Sequence, residues 1–299
     1  MLFPPGATTY EPVPLERLRA SGLCFDMHVH TVYSDGSTTV RRAVQRAAEL
    51  GIGLAITDHN EIRGSLEAEI VAQGRVPILP GIEVNCKEGR DLLVYFRTSE
   101  DLQRFFYREI EPYIGFNPSG PTSRRLIEVA RAAQALDGLV VAAHPFGVVS
   151  FGKKNLALWI ERNGNELLEH IDGIEANNGA AGVRNEFALA WADLLGKLHI
   201  GGSDAHTIAE IGKVLTAAPA ADRGAFFDAL YARSHHVNGP RRRARDLVAP
   251  TIMITKRHLP YFIPGLRRLV RAKDPRVRLR VAALAEQAAQ EVAVAAGQL

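Results

Sequence analysis

Cysteine is scarce in this chain: two residues, Cys24 and Cys86, among 299, with no Cys-x-x-Cys pair. That excludes a disulfide framework and suits a reducing compartment. No run approaches the roughly 20 consecutive apolar residues that a membrane-spanning helix needs. The start, Met1-Leu2-Phe3-Pro4-Pro5-Gly6, lacks the basic-then-apolar pattern of a signal peptide. A cytoplasmic protein with no membrane partner is expected. Aromatic residues make up only 7%, and none interleave with the arginines of 241–245, so that basic run lacks the stacking surfaces of a single-strand binder.

Apolar material is plentiful, with 46% hydrophobic against 23% charged residues, which excludes disorder and supports a large core. The net charge of +3 conceals an asymmetry. Residues 239–280 hold 13 Lys/Arg against 2 Asp/Glu, a net +11, whereas residues 1–238 hold 23 against 29, a net −6. An acidic body carries a basic tail, which fits docking on that body or an oligomer contact.

From residue 23 to 238, short apolar runs alternate with helical patterns, the mark of βα units with parallel strands. Strands are expected at Leu23–Met27, Ile52–Thr57, Val76–Leu79, Leu92–Phe96, Leu139–Ala143, Ile171–Glu175 and Leu198–Gly201. Helices are expected after Ser37-Thr38 up to Gly51, and over Glu61–Ala72, Thr122–Leu136 and Val183–Leu195. Tyr113–Pro121 reads as a loop. The chain divides into an N-terminal arm (1–22), an α/β unit (23–239) and a basic, mainly helical C-terminal extension (240–299).

In parallel α/β proteins, residues just past the carboxyl ends of the strands share one rim. Here those positions carry His28-Val29-His30 with Asp35, then Asp58-His59-Asn60, Pro80-Gly81-Ile82-Glu83, His144-Pro145-Phe146 and Gly202-Ser203-Asp204-Ala205-His206. Alternate residues of an extended segment face one way, so His28 and His30 aim at one ion, as do Asp204 and His206. Five histidines and three carboxylates exceed the four ligands of one tetrahedral zinc. Two or three ions are implied, and mixed imidazole and carboxylate suits manganese, zinc or iron. Such paired ions hydrolyse phosphate esters, with a bridging hydroxide attacking phosphorus.

This ordered set, with Ser34-Asp35-Gly36 and Thr57-Asp58-His59, resembles the PHP (polymerase and histidinol phosphatase) family over residues 25–215, and within it the small metal-dependent phosphoesterases. The resemblance implies a distorted (β/α)7 barrel. It places His28, His30, Glu83 and Asp204 around one ion, with Glu83 bridging to a second ion held by His144. Asp35, His59 and His206 surround a third. It also implies a further histidine on the strand after the glutamate, within a His-x-x-Gly-Tyr-like pattern. Leu92 is assigned to that place, leaving Asp91 or Cys86 as replacement, or two ions instead of three.

The expected activity is metal-dependent hydrolysis of a small phosphomonoester or nucleotide bisphosphate by a metal-bound hydroxide; the sequence names no general acid. Arg184, Asn177 and Lys153 are the candidate substrate contacts, the cations for phosphate. The substrate is expected to be a small anionic ester, with nucleic acid a less favoured partner. An exonuclease acting on nucleic-acid ends, and a degenerate PHP module that binds metal without turnover, are the alternatives. A single-zinc amidohydrolase barrel leaves Asp35 and His206 without a role. His170, His199, His235, His236 and His258 read as ordinary core or surface residues, and Asp26 and Asp58 as caps or supports of ligating imidazoles.

Overall fold

The computed structural model describes residues 6–11, 13–146, 155–180 and 184–240. The expected C-terminal extension, Pro240 apart, lies outside the described residues. Among the described residues, ten strands form two five-stranded sheets. The first has the order β1 (Thr8–Thr9), β10 (His236–Asn238), β9 (Leu215–Ala218), β2 (Leu23–Val29), β3 (Gly53–Ile56). The second runs β4 (Gly81–Asn85), β5 (Asp91–Tyr95), β6 (Leu139–Ala142), β7 (Gly173–Asn178), β8 (Leu198–Gly202). β3 to β7 are buried at every residue, because both faces of each sheet are covered.

The mixed α/β class is as expected, but uniform βα alternation is not. β2 pairs with β3, β6 with β7 and β7 with β8 in parallel; β4–β5, β5–β6, β2–β9 and β9–β10 are antiparallel. A tight connection over residues 86–90, closed by Cys86 N to Arg90 O at 2.8 Å, joins β4 to β5 without a helix. Among the described residues no ladder closes the sheets into one seven-stranded barrel. They meet through single bridges, Val29 to Ala205 and His59 to Glu83. Inside, Tyr95 donates its hydroxyl to Met27 O at 2.6 Å, joining the two sheets.

Val76–Leu79 contributes only the bridge from Ile78 to Leu54, and the strand forms one step later. Pro77 and Pro80 have no N–H to give a ladder, whereas every amide from Gly81 to Asn85 is available. Helix α2 (Val40–Leu50) follows its pattern: Val40, Ala43, Val44 and Ala47 are buried, Thr39 caps the start, and Gly51 ends it at φ 63°. The expected helices around α3 (Arg63–Ala72), α5 (Leu126–Gln134) and α7 (Asn185–Leu195) form with shorter bounds. Four further helices appear: α1 (Leu15–Arg19), α4 (Ser99–Phe105), α6 (Leu156–Asn163) and α8 (Arg223–Tyr231). The described part of the arm 1–22 adds β1 to the first sheet and buries Leu18 in the core. Among the described residues no helix is long and apolar enough to cross a membrane.

Candidate metal centre

Five chain segments from both sheets deliver His28, His30, Asp35, His59, Glu83, His144, Asp204 and His206 to one place. They form four overlapping triplets whose ligand atoms lie within 4.8 Å of one another: His28–Glu83–His144, His28–His30–Asp204, His30–His59–Glu83 and His30–Asp35–His206. At the centre, His28 Nε2 and His30 Nε2 are 3.0 Å apart. Glu83 Oε2 stands 3.3 Å from each, and Asp204 Oδ1 is 3.6 and 3.2 Å away. On one flank Glu83 Oε1 meets His144 Nε2 at 2.9 Å. On the other, Asp35 Oδ2 is 3.6 Å from His59 Nε2 and 3.4 Å from His206 Nε2.

The backbone is strained where it presents these groups. Asn60, His144 and Asp204 have φ of 49°, 26° and 50°, a region that residues other than glycine occupy only when the surroundings hold them there. Asn60 is held by Nδ2 bonds to Pro118 O and Gly120 O and by Asn85 N donating to its Oδ1, which also pins the Tyr113–Pro121 loop. Asp58 accepts from Thr31 N, Thr31 Oγ1 and Ser34 Oγ at 2.7, 2.7 and 2.5 Å. Asp26 accepts from Ser203 N, Ser203 Oγ and Gly212 N. Both acids are supports.

Burial disfavours every charge here, so the partners decide protonation. Burial pushes the His28 imidazolium down, but Asp204, Glu175 and Glu83 outweigh it and raise the group well above its usual value. His30, also opposed by burial, is raised to about 10 by bonds to Asp204 and Glu83. Burial pushes Glu83 and Asp204 up, yet the imidazoles hold both well below the carboxylate range. The cavity has a field made for positive charge.

Three assignments change. Leu92 pairs across the sheet with Val84 and Ala142 and is fully buried among apolar side chains. Because faces alternate, it points away from Glu83, and Asp91, one residue earlier, takes the Glu83 side. Cys86 gives its thiol to Val84 O at 3.6 Å, and burial drives its pKa well above the usual value. Asn177 does not face the cluster either: its amide donates to Gly239 O and accepts from Asn185 Nδ2. A bulge between Glu175 and Asn177 turns Glu175 and Asn178 inward instead, and alternation alone had no signal for it. Arg184 is the half-exposed N-cap of α7. Lys153 lies outside the described residues.

The PHP domain model matches residues 26–200, and a PHP-associated model matches 182–234. "Uncharacterized protein MJ1587" of Methanocaldococcus jannaschii is 26% identical over 188 residues, 56% of this chain and 98% of that relative. Among solved structures, a two-domain Bacteroides vulgatus protein containing a predicted PHP-like metal-dependent phosphoesterase superposes with a TM-score of 0.53 at 18% identity, over 77% of this chain and 69% of that one. The lesion-specific endonuclease PfuEndoQ from Pyrococcus furiosus gives 0.53 at 18% identity, over 72% of this chain and 57% of that one. Both likenesses are of fold.

Proposed function

This chain belongs to the PHP domain family, and we propose that it is a metal-dependent phosphoesterase cleaving a small phosphomonoester or a nucleotide bisphosphate. One observation carries the reading: ring nitrogens and carboxylate oxygens from five segments converge in overlapping triplets, each within 4.8 Å. His206 Nδ1 lies 2.9 Å from Asp204 O, a carbonyl that only accepts, so Nδ1 carries a proton and Nε2 is the nitrogen turned toward Asp35. Ser34 Oγ gives its proton to Asp58 and takes one from His30 Nδ1 at 3.3 Å, which turns His30 Nε2 to the cluster as well. The carboxylates that raise His28 and His30 favour a proton on each Nε2, and a divalent ion would take the place of those protons. The donor set fits divalent ions.

In this reading His28, His30, Glu83 Oε2 and Asp204 Oδ1 hold one ion. Glu83 Oε1 and His144, with Asp91, hold a second, and Asp35, His59 and His206 a third. Manganese, zinc or iron suits these ligands. When bound, such ions supply Lewis acidity, neutralising phosphate oxygens and lowering the pKa of water. The side chains of His59, His144 and Asp204 are 11–13% exposed, against 0–6% for the other five, so the ester approaches from their side. Arg184 and Lys153 are its proposed phosphate contacts. We read the two sheets as halves of one distorted PHP-type barrel spanning 23–239, with 240–299 as a basic extension.

The test is phosphate release by the manganese-loaded protein across phosphomonoesters and nucleotide bisphosphates, beside His28→Ala and Asp204→Ala. Turnover by the parent that both variants lose is expected. Equal release by all three overturns the reading.

A further inference from the structure

We propose that Glu175 and Asn178 are a positioning pair that sets the proton of His28 and ties together the donors contributed by β2, β6 and β8. This inference rests on the metal-centre reading above. Glu175 is 1% exposed. Its Oε1 accepts from His28 Nδ1 at 2.9 Å, and its Oε2 from His144 N at 2.7 Å and Asn178 Nδ2 at 2.9 Å. A carboxylate only accepts, so His28 carries a proton on Nδ1 and turns Nε2 to the cluster as the nitrogen that would bind an ion. The bond to His144 N sits at the strained φ of 26° and holds that turn, from which Nε2 reaches Glu83.

Asn178 extends the unit to Asp204. Its Oδ1 accepts from Ala180 N at 2.7 Å, which fixes the amide with Nδ2 toward the acids. The second Nδ2 hydrogen goes to Asp204 Oδ2 at 3.2 Å, leaving Oδ1 for His28 and His30. A neutral donor between two carboxylates also offsets their repulsion, which an aspartate at 178 would increase. Asn185 locks this residue in turn, accepting from Asn178 N and donating to Asn178 O. The bulge in β7 brings both side chains to one face. Carboxylates that hold the far nitrogen of a ligating histidine typically change metal affinity about 10- to 100-fold when altered.

The test pairs calorimetric manganese titration of the parent and Glu175→Gln with ¹⁵N–¹H NMR of the zinc-loaded parent labelled at histidine, His28 being assigned by its loss in His28→Gln. Glutamine keeps the shape but sets an amide donor against His28 Nδ1–H or against His144 N–H and Asn178 Nδ2. The expected results are an Nδ1–H tautomer for His28 in the parent, and manganese binding weakened about 10- to 100-fold in Glu175→Gln with an unchanged circular dichroism spectrum. An Nε2–H tautomer in the parent overturns the proposal, and needs no variant that folds. So does unchanged affinity in Glu175→Gln while the parent binds manganese. A parent that binds no manganese overturns the metal reading and this inference with it.

Discussion

Asp91 Oδ2 stands 3.8 Å from His144 Nε2, on the strand whose next residue, Leu92, faces the apolar core. The pairing of Asn85 with Asp91 and of Glu83 with Leu93 puts Asp91 on the side of Glu83. Asp91→Ala is therefore expected to lower bound metal by one ion per chain, read by elemental analysis. Leu92→His is expected to restore none of it in the Asp91→Ala background, and to destabilise by about 1–3 kcal/mol because it buries a polar ring without a partner. A gain of metal from Leu92→His would show that the strand presents its other face.

Chelation should lower the melting temperature. Ions that bind only the folded chain stabilise it by about 2.7 kcal/mol when present at 100 times their dissociation constant. Melting curves with a chelator and with manganese check this. Identical curves would mean that the cluster holds no ion in the folded state.

Ser34→Ala removes the hydroxyl that joins Asp58 to His30. It leaves Asp58 Oδ1 with Thr31 N alone at 2.7 Å, and frees the His30 ring to turn. A loss of about 1–3 kcal/mol is expected for a buried acid deprived of a donor, with weaker metal binding. Urea denaturation and manganese titration read the two effects separately, and neither should move if the short contact is incidental.

His236 supplies a pH dependence remote from the ligands. Burial, and then the neighbouring His235, push its pKa down to about 4 from an ordinary 6.5. In the unfolded chain this group takes a proton near pH 6.5; in the folded chain it resists until about 4. Its contribution is thus fully present above 6.5 and is lost as pH falls through that window, because the unfolded state binds the extra proton. Urea midpoints of the chelated protein between pH 7.5 and 4.5 should fall more steeply for the parent than for His236→Gln. Parallel curves would assign the acid sensitivity elsewhere.

Much of the candidate site was legible in the chain because the candidate ligands are rare residue types placed at strand ends. His28-x-His30 and Asp204-x-His206 sit where period-two geometry makes neighbours of alternate side chains, and the compositional contrast with apolar strands such as Leu139–Ala142 marks their ends. Strand existence was legible for the same reason. Where prolines interrupt the ladder, as at Pro77 and Pro80, an apolar run resembled a strand but made only a single bridge, with Leu79 N donating to Leu54 O at 2.8 Å.

Residue identity and order determined the mixed α/β class, the donor types, and the rim segments from which they come. The tertiary structure alone decided which face each strand turned inward: Asp91 over Leu92, and Glu175 with Asn178 over Asn177. Alternation is a local rule, and one antiparallel register or one bulge, settled by packing between segments far apart in the chain, shifts it by a residue and reverses every side chain beyond.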